Sequence, residues 1–217
     1  MNVIHFVGYS TKEIDMEDNK KEIRNVTAPL SLSKREGDLS ESRMVEGYAI
    51  LFGVHSDGLY FDETIEPGAL DGVIERSDVK AVLNHNVDRG VLARSRKGEG
   101  SLELIVDEKG LLYRFEAPKT ALGDELLENL RRGEICESSF CFSVKRDTWV
   151  YNEGARSSRT IHEIDELFDV SPVYDAAYSA TSVYTRGLDE AKSKVEEQRA
   201  KERGLQEYFA TIRKSFS

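Results

Sequence analysis

The sequence contains little of several features that usually define a class of protein. Its 217 residues include two cysteines, four prolines and one tryptophan, and 40 acidic residues outnumber 30 basic ones. A net charge of −10 is the opposite of the lysine and arginine excess that binds phosphate backbones, so we expect no nucleic-acid partner. No apolar run reaches the roughly 20 residues that span a bilayer, so we expect no membrane association.

The cysteines and the first residues give two further expectations. Cys136 and Cys141 would lie on opposite faces of one strand, roughly 16 Å apart at about 3.3 Å per residue, too far for a disulfide. Neither belongs to a pattern with metal-ligand spacing. Residues Met1–Gly8 lack a basic leader followed by a sustained apolar run, which predicts a cytosolic protein with reduced thiols.

A hydrophobic content of 39% over this length predicts one folded domain with extensions. We expect a flexible arm over residues 1–21, the domain over 22–186 and a charged helical tail over 187–217. The end of the tail carries an apolar stripe at helical spacing, formed by Leu205, Tyr208, Phe209, Ile212 and Phe216. This stripe could dock on its own domain or on a partner.

Within the domain, the most informative stretch is Glu134–Val144. Its side chains alternate as in a strand, with an apolar face of Phe140 and Phe142 and a small face that includes Ser139. A face of small side chains lets a neighbouring strand or a substrate approach the backbone closely. Ser139 is therefore a candidate nucleophile, and the alternative is a buried strand whose small face packs under a neighbour.

Three other segments frame this strand. Residues 22–33 and 44–54 resemble a β-hairpin, and the run from Val79 to His85 alternates so that His85 closes an apolar strand face. Imidazole titrates near neutral pH, so His85 is the best candidate general base, although a histidine of the core is the alternative.

A helix over Ala121–Arg132, with Thr120 as its N-cap and Gly133 after its end, leads into the Ser139 strand. The segment Arg159–Val173 then predicts a long edge strand with a bulge near Asp165 and Glu166. Four carboxylates lie on this segment, at Glu163, Asp165, Glu166 and Asp169. One of them could orient a histidine, and the other three are expected to face solvent.

The order of these segments resembles the prohead (capsid maturation) serine proteases of tailed bacteriophages, a family whose core resembles the herpesvirus assembly proteins. The resemblance covers roughly residues 22–186. It rests on Val45–Phe52, Glu66–Leu70, Leu83–Asn86, Val91–Arg94, Arg132–Ile135, Ser139–Phe142 and Leu167–Val173, followed by Ala176 and Ala177.

The resemblance implies an α+β fold with a mostly antiparallel, β-barrel-like core and a few flanking helices. It implies a serine endopeptidase in which His85 and Ser139 are catalytic and Asp169 is the third member, with Glu166 and Asp165 as alternates. Such an enzyme needs no metal or cofactor. Oxyanion donors are expected near Arg94 and after Ser139.

The implied substrates are scaffold segments of the major capsid protein and the enzyme itself, cut inside the assembling prohead in the host cytoplasm. Whether the chain forms a homo-oligomer stays open. The sequence departs from the family pattern at Cys141 and Ala93, where glycines are common, and at Tyr174–Tyr178, where a proline-containing turn is usual. The rival interpretation is a catalytically silent assembly or scaffolding module with the same fold. A small-ester hydrolase is less favoured because no Gly-x-Ser-x-Gly motif occurs.

Overall fold

The computed structural model describes residues 10–11, 21–26, 28, 30–33, 42–55, 59–174 and 183–215. In the last helix it describes the side chains of residues 189 and 191–206. The predicted arm lies largely outside these ranges, apart from a short pairing of Ser10 and Thr11 with Trp149 and Thr148.

Eight described strands form one sheet around a central pair. They are β1 (Ser10–Thr11), β2 (Glu22–Val26), β5 (Asp62–Ile65), β6 (Asp78–Ala81), β7 (Ala93–Arg96), β8 (Glu99–Gly100), β11 (Glu137–Val150) and β12 (Ser158–Val173). Their order is β1-β11-β12-β6-β7-β8, with β2 also paired to β11 and β5 also paired to β12. The two longest strands, β11 and β12, are antiparallel neighbours at the centre.

Four further strands form a second, antiparallel sheet in the order β3-β4-β10-β9. They are β3 (Ser31–Ser33), β4 (Met44–Leu51), β9 (Leu102–Val106) and β10 (Gly110–Glu116). One apolar core takes side chains from both sheets, among them Tyr113, Phe115, Phe140 and Phe142. Burying a side chain of this size contributes about 1.5 to 3 kcal/mol, so this shared core holds the two sheets together.

The predicted α+β class is confirmed, because the described chain is mostly sheet with a few helices. The barrel-like arrangement is not observed. Within the described residues, no strand pairing joins the two sheets, and neither sheet closes on itself. The core is therefore enclosed between two open sheets, and the likeness to the herpesvirus assembly proteins stays a prediction.

The predicted hairpin of residues 22–33 with 44–54 forms only in part. β3 pairs with β4, where Leu32 lies opposite Val45. β2 instead pairs with β11 in the other sheet, where Asn25 lies opposite Ser139. Alternating side chains identify a strand but not its partner, so the sequence pattern could not separate β2 from β3.

Strand β12 was predicted as an edge strand, and this was wrong. It pairs with β11 along one side and, in parallel, with β5 and β6 along the other. Three of its carboxylates, those of Glu163, Asp165 and Glu166, lie between the stretches that pair with β5 and β6. The predicted bulge is confirmed there, because Glu166 opposes Ser143 and Ile164 opposes Val144, which leaves Asp165 without an opposing residue.

The helices complete the domain. α1 (Val73–Arg76) follows a 3-10 turn at Pro67–Leu70. α2 (Ala121–Arg132) confirms the predicted helix: the Thr120 hydroxyl accepts the Gly123 N–H at 3.3 Å, and Gly133 ends the helix at φ 73°. Only glycine adopts such a left-handed angle without strain, so the sequence fixes this end of the helix.

The third helix, α3 (Val183–Ser215), begins before the predicted boundary of the tail and runs across it. Its Ala191 is buried beside Phe61 and Trp149, and its Arg199 pairs with Glu153. Leu205 is exposed, whereas the side chains of Tyr208, Phe209, Ile212 and Phe216 lie outside the described residues. The proposed division into arm, domain and tail stays a prediction. Among the described helices, none is long and apolar enough to cross a bilayer.

Candidate active site

Ser139 lies in the middle of the large sheet. It faces Ser171 of β12 on one side and Asn25 of β2 on the other, and its side chain is buried. Its neighbour Ser138 points to the opposite face, where its hydroxyl is hydrogen-bonded to the Tyr113 hydroxyl at 2.9 Å in the core. The alternation of the strand therefore separates the two adjacent serines completely, because successive side chains point to opposite faces.

His85 reaches this face from a strained turn, not from a strand as predicted. β6 ends at Ala81, and a 3-10 turn follows at Leu83–His85. Asn84 and His85 have φ angles of 54° and 56°, both left-handed. Such angles cost about 1 kcal/mol or more for a residue with a side chain, and strain of this kind is concentrated at functional sites.

The turn brings His85 between an acid and a hydroxyl. Its Nδ1 lies 2.6 Å from Oδ1 of Asp169, and its Nε2 lies 2.6 Å from Oγ of Ser139. All three residues that the sequence nominated for catalysis are therefore in one hydrogen-bonded chain. The two alternates lie elsewhere on β12: Glu166 opposes Ser143, and Asp165 occupies the bulge.

The acid determines which nitrogen of the ring carries the proton. An ionised carboxylate only accepts hydrogen bonds, so Nδ1 is the protonated nitrogen and Nε2 is left as an acceptor for the Ser139 hydroxyl. The Asp169 side chain is 12% exposed and that of His85 is 18% exposed. Partial burial strengthens both hydrogen bonds relative to water.

Two further groups contact this hydrogen-bonded chain, and neither was predicted from the sequence. The Ser171 hydroxyl donates to Asp169 Oδ1 at 2.7 Å and lies 3.2 Å from His85 Nδ1. The Arg24 backbone carbonyl accepts from the Ser139 hydroxyl at 2.8 Å. Strand periodicity does place Ser171 on the face of Asp169, two residues away, whereas no sequence signal could identify a carbonyl group on β2.

The second hydrogen bond of Ser139 matters because a hydroxyl has a single proton. When His85 is neutral, the Ser139 hydroxyl can donate either to His85 Nε2 or to the Arg24 carbonyl, but not fully to both at once. When His85 carries two protons, Nε2 donates to Ser139 and the hydroxyl donates to the carbonyl, so both bonds form together. The Arg24 carbonyl therefore competes with His85 Nε2 for the Ser139 proton.

Comparison with known proteins identifies the kind of site. Residues 29–194 match the family model described as caudovirus prohead serine protease. The chain belongs to this family. The solved structure of the bacteriophage T4 capsid assembly protease is also similar, at 14% identity and a TM-score of 0.45, over 72% of this chain and 98% of that chain. No curated protein matches.

The predicted family membership and the predicted protease activity are thereby confirmed, and this prohead protease is a serine protease of phage capsid maturation. One departure from the family pattern, Cys141, lies opposite Asp169 and is buried. Burial, and to a smaller extent the charge of Asp169, raises the pKa of the Cys141 thiol to about 12. The thiol is therefore protonated at neutral pH.

Strand β2, which carries the Arg24 carbonyl, is held in the large sheet by buried ion pairs. The Arg24 guanidinium binds Glu22 and Glu63, and Arg159 binds both of these and Asp147. Burial alone would raise the pKa of Glu22, but the charges of Arg159 and Arg24 outweigh it and the pKa is lowered. The Glu22 carboxylate is therefore ionised, and its ion pairs with Arg24 and Arg159 help to hold β2 in the sheet beside Ser139.

The turn after His85 is anchored to α2. Arg89 donates to Glu125 at 2.6 Å, and the Tyr174 hydroxyl donates to the same carboxylate at 3.1 Å. These bonds connect the turn to the end of β12 through the helix. At the predicted oxyanion position, the Arg94 N–H donates to the Ser101 hydroxyl and its guanidinium binds Asp78. The identity of the N–H groups that would bind the oxyanion therefore stays a prediction.

Proposed function

We propose that this protease cleaves the scaffold segments of a phage major capsid protein, and itself, during prohead maturation. Ser139 is the proposed nucleophile, His85 the general base and Asp169 the acid that orients the base. The hydrogen-bonded chain from Asp169 through His85 to Ser139, with both bonds at 2.6 Å, is the observation that supports these roles.

In the proposed mechanism, the Ser139 oxygen attacks a peptide carbonyl while His85 Nε2 takes its proton. The Asp169 carboxylate stabilises the imidazolium that forms, and His85 then returns the proton to the leaving amine. A water molecule, activated by the same histidine, hydrolyses the acyl-enzyme and restores the Ser139 hydroxyl. Each step uses only side chains that are already within hydrogen-bonding distance.

Access to the nucleophile is the step that this geometry restricts. The Ser139 side chain is buried, and its hydroxyl is also bound by the Arg24 carbonyl. A scissile peptide can reach the oxygen only after a local displacement at the site. A resting enzyme of this kind suits a protease that is packaged with its substrate and acts after the shell has assembled.

The proposal is tested by co-expressing the full chain with the capsid protein of its phage and following both by intact mass. We expect wild type to trim the capsid protein and itself, and Ser139→Ala to leave both whole. The matched control is Ser143→Ala, a buried serine four residues along β11, which should trim like wild type.

The same experiment separates the rival functions. If wild type and Ser139→Ala leave the capsid protein equally whole inside assembled proheads, the silent assembly module is favoured. If both trim it equally, Ser139 is not the nucleophile. If the capsid protein is trimmed while the protease stays intact, cleavage of scaffold segments stands and self-cleavage fails.

We also propose that the end of the tail tethers the protease to the capsid shell or its scaffold. Leu205 of the predicted apolar stripe is 55% exposed. Deleting residues 204–217 removes the stripe and keeps Ala191 and Arg199, which contact the domain. We expect fewer protease copies in purified proheads; an unchanged copy number contradicts the tether.

A further inference from the structure

Ser171 is the buried hydroxyl that contacts both the acid and the base of the site. It is completely buried and lies directly opposite Ser139 in the strand pairing. Its hydroxyl donates to Asp169 Oδ1 at 2.7 Å, the same oxygen that accepts from His85 Nδ1. Its own oxygen lies 3.2 Å from that nitrogen, where it accepts a second, longer bond from the Nδ1 proton.

These three contacts form a closed ring of hydrogen bonds. The Nδ1 proton is shared between the Asp169 oxygen and the Ser171 oxygen, and the Ser171 proton returns to the Asp169 oxygen. A hydroxyl is one of the few groups that can accept from the imidazole and donate to the carboxylate at once. The ring therefore fixes the carboxylate rotamer and the plane of the imidazole together.

The local sequence makes this arrangement rigid. Asp169 and Ser171 are separated by Val170, whose side chain is buried in the core on the opposite face. Val170 lies opposite Ala81 of β6, four residues before His85. Strand pairing thus sets the distance between Ser171 and the turn that carries the histidine.

We infer that Ser171 is a fourth, positioning member of the site, which holds the Asp169 carboxylate and the His85 ring in the geometry that leaves Nε2 free for Ser139. The inference rests on the proposed catalytic roles of those three residues. Ser171 touches no reacting atom, so it acts only through Asp169 and His85.

A matched pair of serine variants distinguishes positioning from packing. Ser143 is also buried, on the same small face that the alternation of β11 gives to Ser139 and Cys141, and among the described residues its hydroxyl has no hydrogen-bond partner. Ser171→Ala and Ser143→Ala therefore remove the same atom from similar surroundings. Only the first breaks bonds to the acid and the base.

The first measurement uses the full chain with Ser139→Ala, which removes the proposed nucleophile and with it self-cleavage. The ¹⁵N shifts of the His85 ring, assigned with His85→Gln and read at mildly alkaline pH where a free imidazole is neutral, report which nitrogen carries the proton. We expect added Ser171→Ala to shift the Nδ1 signal toward a mixture of the two tautomers, and added Ser143→Ala to change nothing. Unchanged ring shifts in the Ser171→Ala protein would overturn the inference.

The second measurement uses the active enzyme and the capsid protein in the co-expression described above. Losing a hydrogen bond to a charged group predicts trimming about tenfold slower for Ser171→Ala, while Ser143→Ala trims like wild type. Trimming by Ser171→Ala at the wild-type rate would also refute positioning. If wild type itself does not trim, the proposed function fails, and the ring shifts still decide the role of Ser171.

Discussion

Two hydrogen-bonded chains of acid, imidazole and hydroxyl lie on the same pair of central strands. One joins Asp169, His85 and Ser139. The other joins Glu66, His162 and Thr148: Glu66 Oε2 lies 2.9 Å from His162 Nδ1, and Thr148 Oγ1 lies 2.8 Å from Nε2. Both chains connect the same types of atom at nearly the same distances.

Their surroundings differ. The acid of the first chain is 12% exposed, whereas Glu66 is 51% exposed. Water at Glu66 weakens its hold on the imidazole, and the Thr148 hydroxyl is more hindered than a serine's. In addition, Asp169 accepts a bond from the buried Ser171 hydroxyl, which fixes the carboxylate further.

The backbones that carry the two histidines also differ. His162 lies within β12 at a register shift, since Glu163 opposes Arg146 and Ile161 opposes Asp147, and its φ angle is not left-handed. His85 stands on a turn in which it and Asn84 both have left-handed φ angles, and this conformation costs energy. Hydrogen-bond connectivity alone therefore does not identify a catalytic site; burial of the acid and a strained support distinguish the two.

The largest difference between the chains should appear when each acid is made neutral. We expect Asp169→Asn to lower capsid trimming by roughly four orders of magnitude, because a neutral amide neither fixes the tautomer nor stabilises the imidazolium. Glu66→Gln is the matched control in the other chain and should trim at the wild-type rate. Equal losses in trimming for the two variants would contradict the comparison.

The next largest effect concerns stability on the opposite face of the same strands. Glu22→Gln leaves Arg24 and Arg159 buried with one carboxylate fewer, so we expect a loss of about 3 to 5 kcal/mol in the free energy of unfolding. Chemical denaturation measures it. Glu163→Gln, which breaks exposed pairs with Lys145 and Arg146, is the control and should change little.

The pH dependence of the same variant gives an independent check. The pKa of Glu22 is lowered in the folded protein. Its ionised form therefore stabilises the fold above the ordinary carboxyl pKa, and this contribution is lost as the pH falls through the lowered value. We expect Glu22→Gln to show a shallower loss of stability with acid than wild type; parallel curves would contradict this role for the carboxylate.

A smaller effect is expected at Ser138, the serine next to the proposed nucleophile. Ser138→Ala leaves the buried Tyr113 hydroxyl without its partner, which should cost about 1 to 3 kcal/mol in the free energy of unfolding. Trimming of the capsid protein should stay at the wild-type rate in conditions where the variant is folded. A loss of trimming equal to that of Ser139→Ala would show that the nucleophile is assigned to the wrong serine.

The smallest effect is expected for the hydroxyl of the second chain. Thr148→Val removes the hydroxyl and keeps the β-branched shape that suits a strand. We expect trimming within about twofold of wild type, because this site lacks a buried acid like the one beside His85. A large loss of trimming would mean that the Glu66–His162–Thr148 chain takes part in catalysis, which would contradict the comparison of the two hydrogen-bonded chains.

Local sequence determined the elements whose signals are local. The helix over Ala121–Arg132 was predicted with its cap and its terminating glycine, because those contacts join residues a few positions apart. The alternation around Ser139 correctly separated it from Ser138, since the period of a strand fixes which side chains share a face. Ser139 and His85 were candidates from their strand patterns, and the resemblance to the protease family supported both and selected Asp169 among the four carboxylates.

Tertiary structure decided what depends on distant pairing. The left-handed turn at His85, the central place of β12 and the transfer of β2 to the Ser139 strand arise from contacts between segments far apart in the chain. So do the Ser171 contact with His85 and the Arg24 carbonyl at the nucleophile. Residue types and periodicity specify which face a side chain occupies; only the packed sheets specify what that face meets.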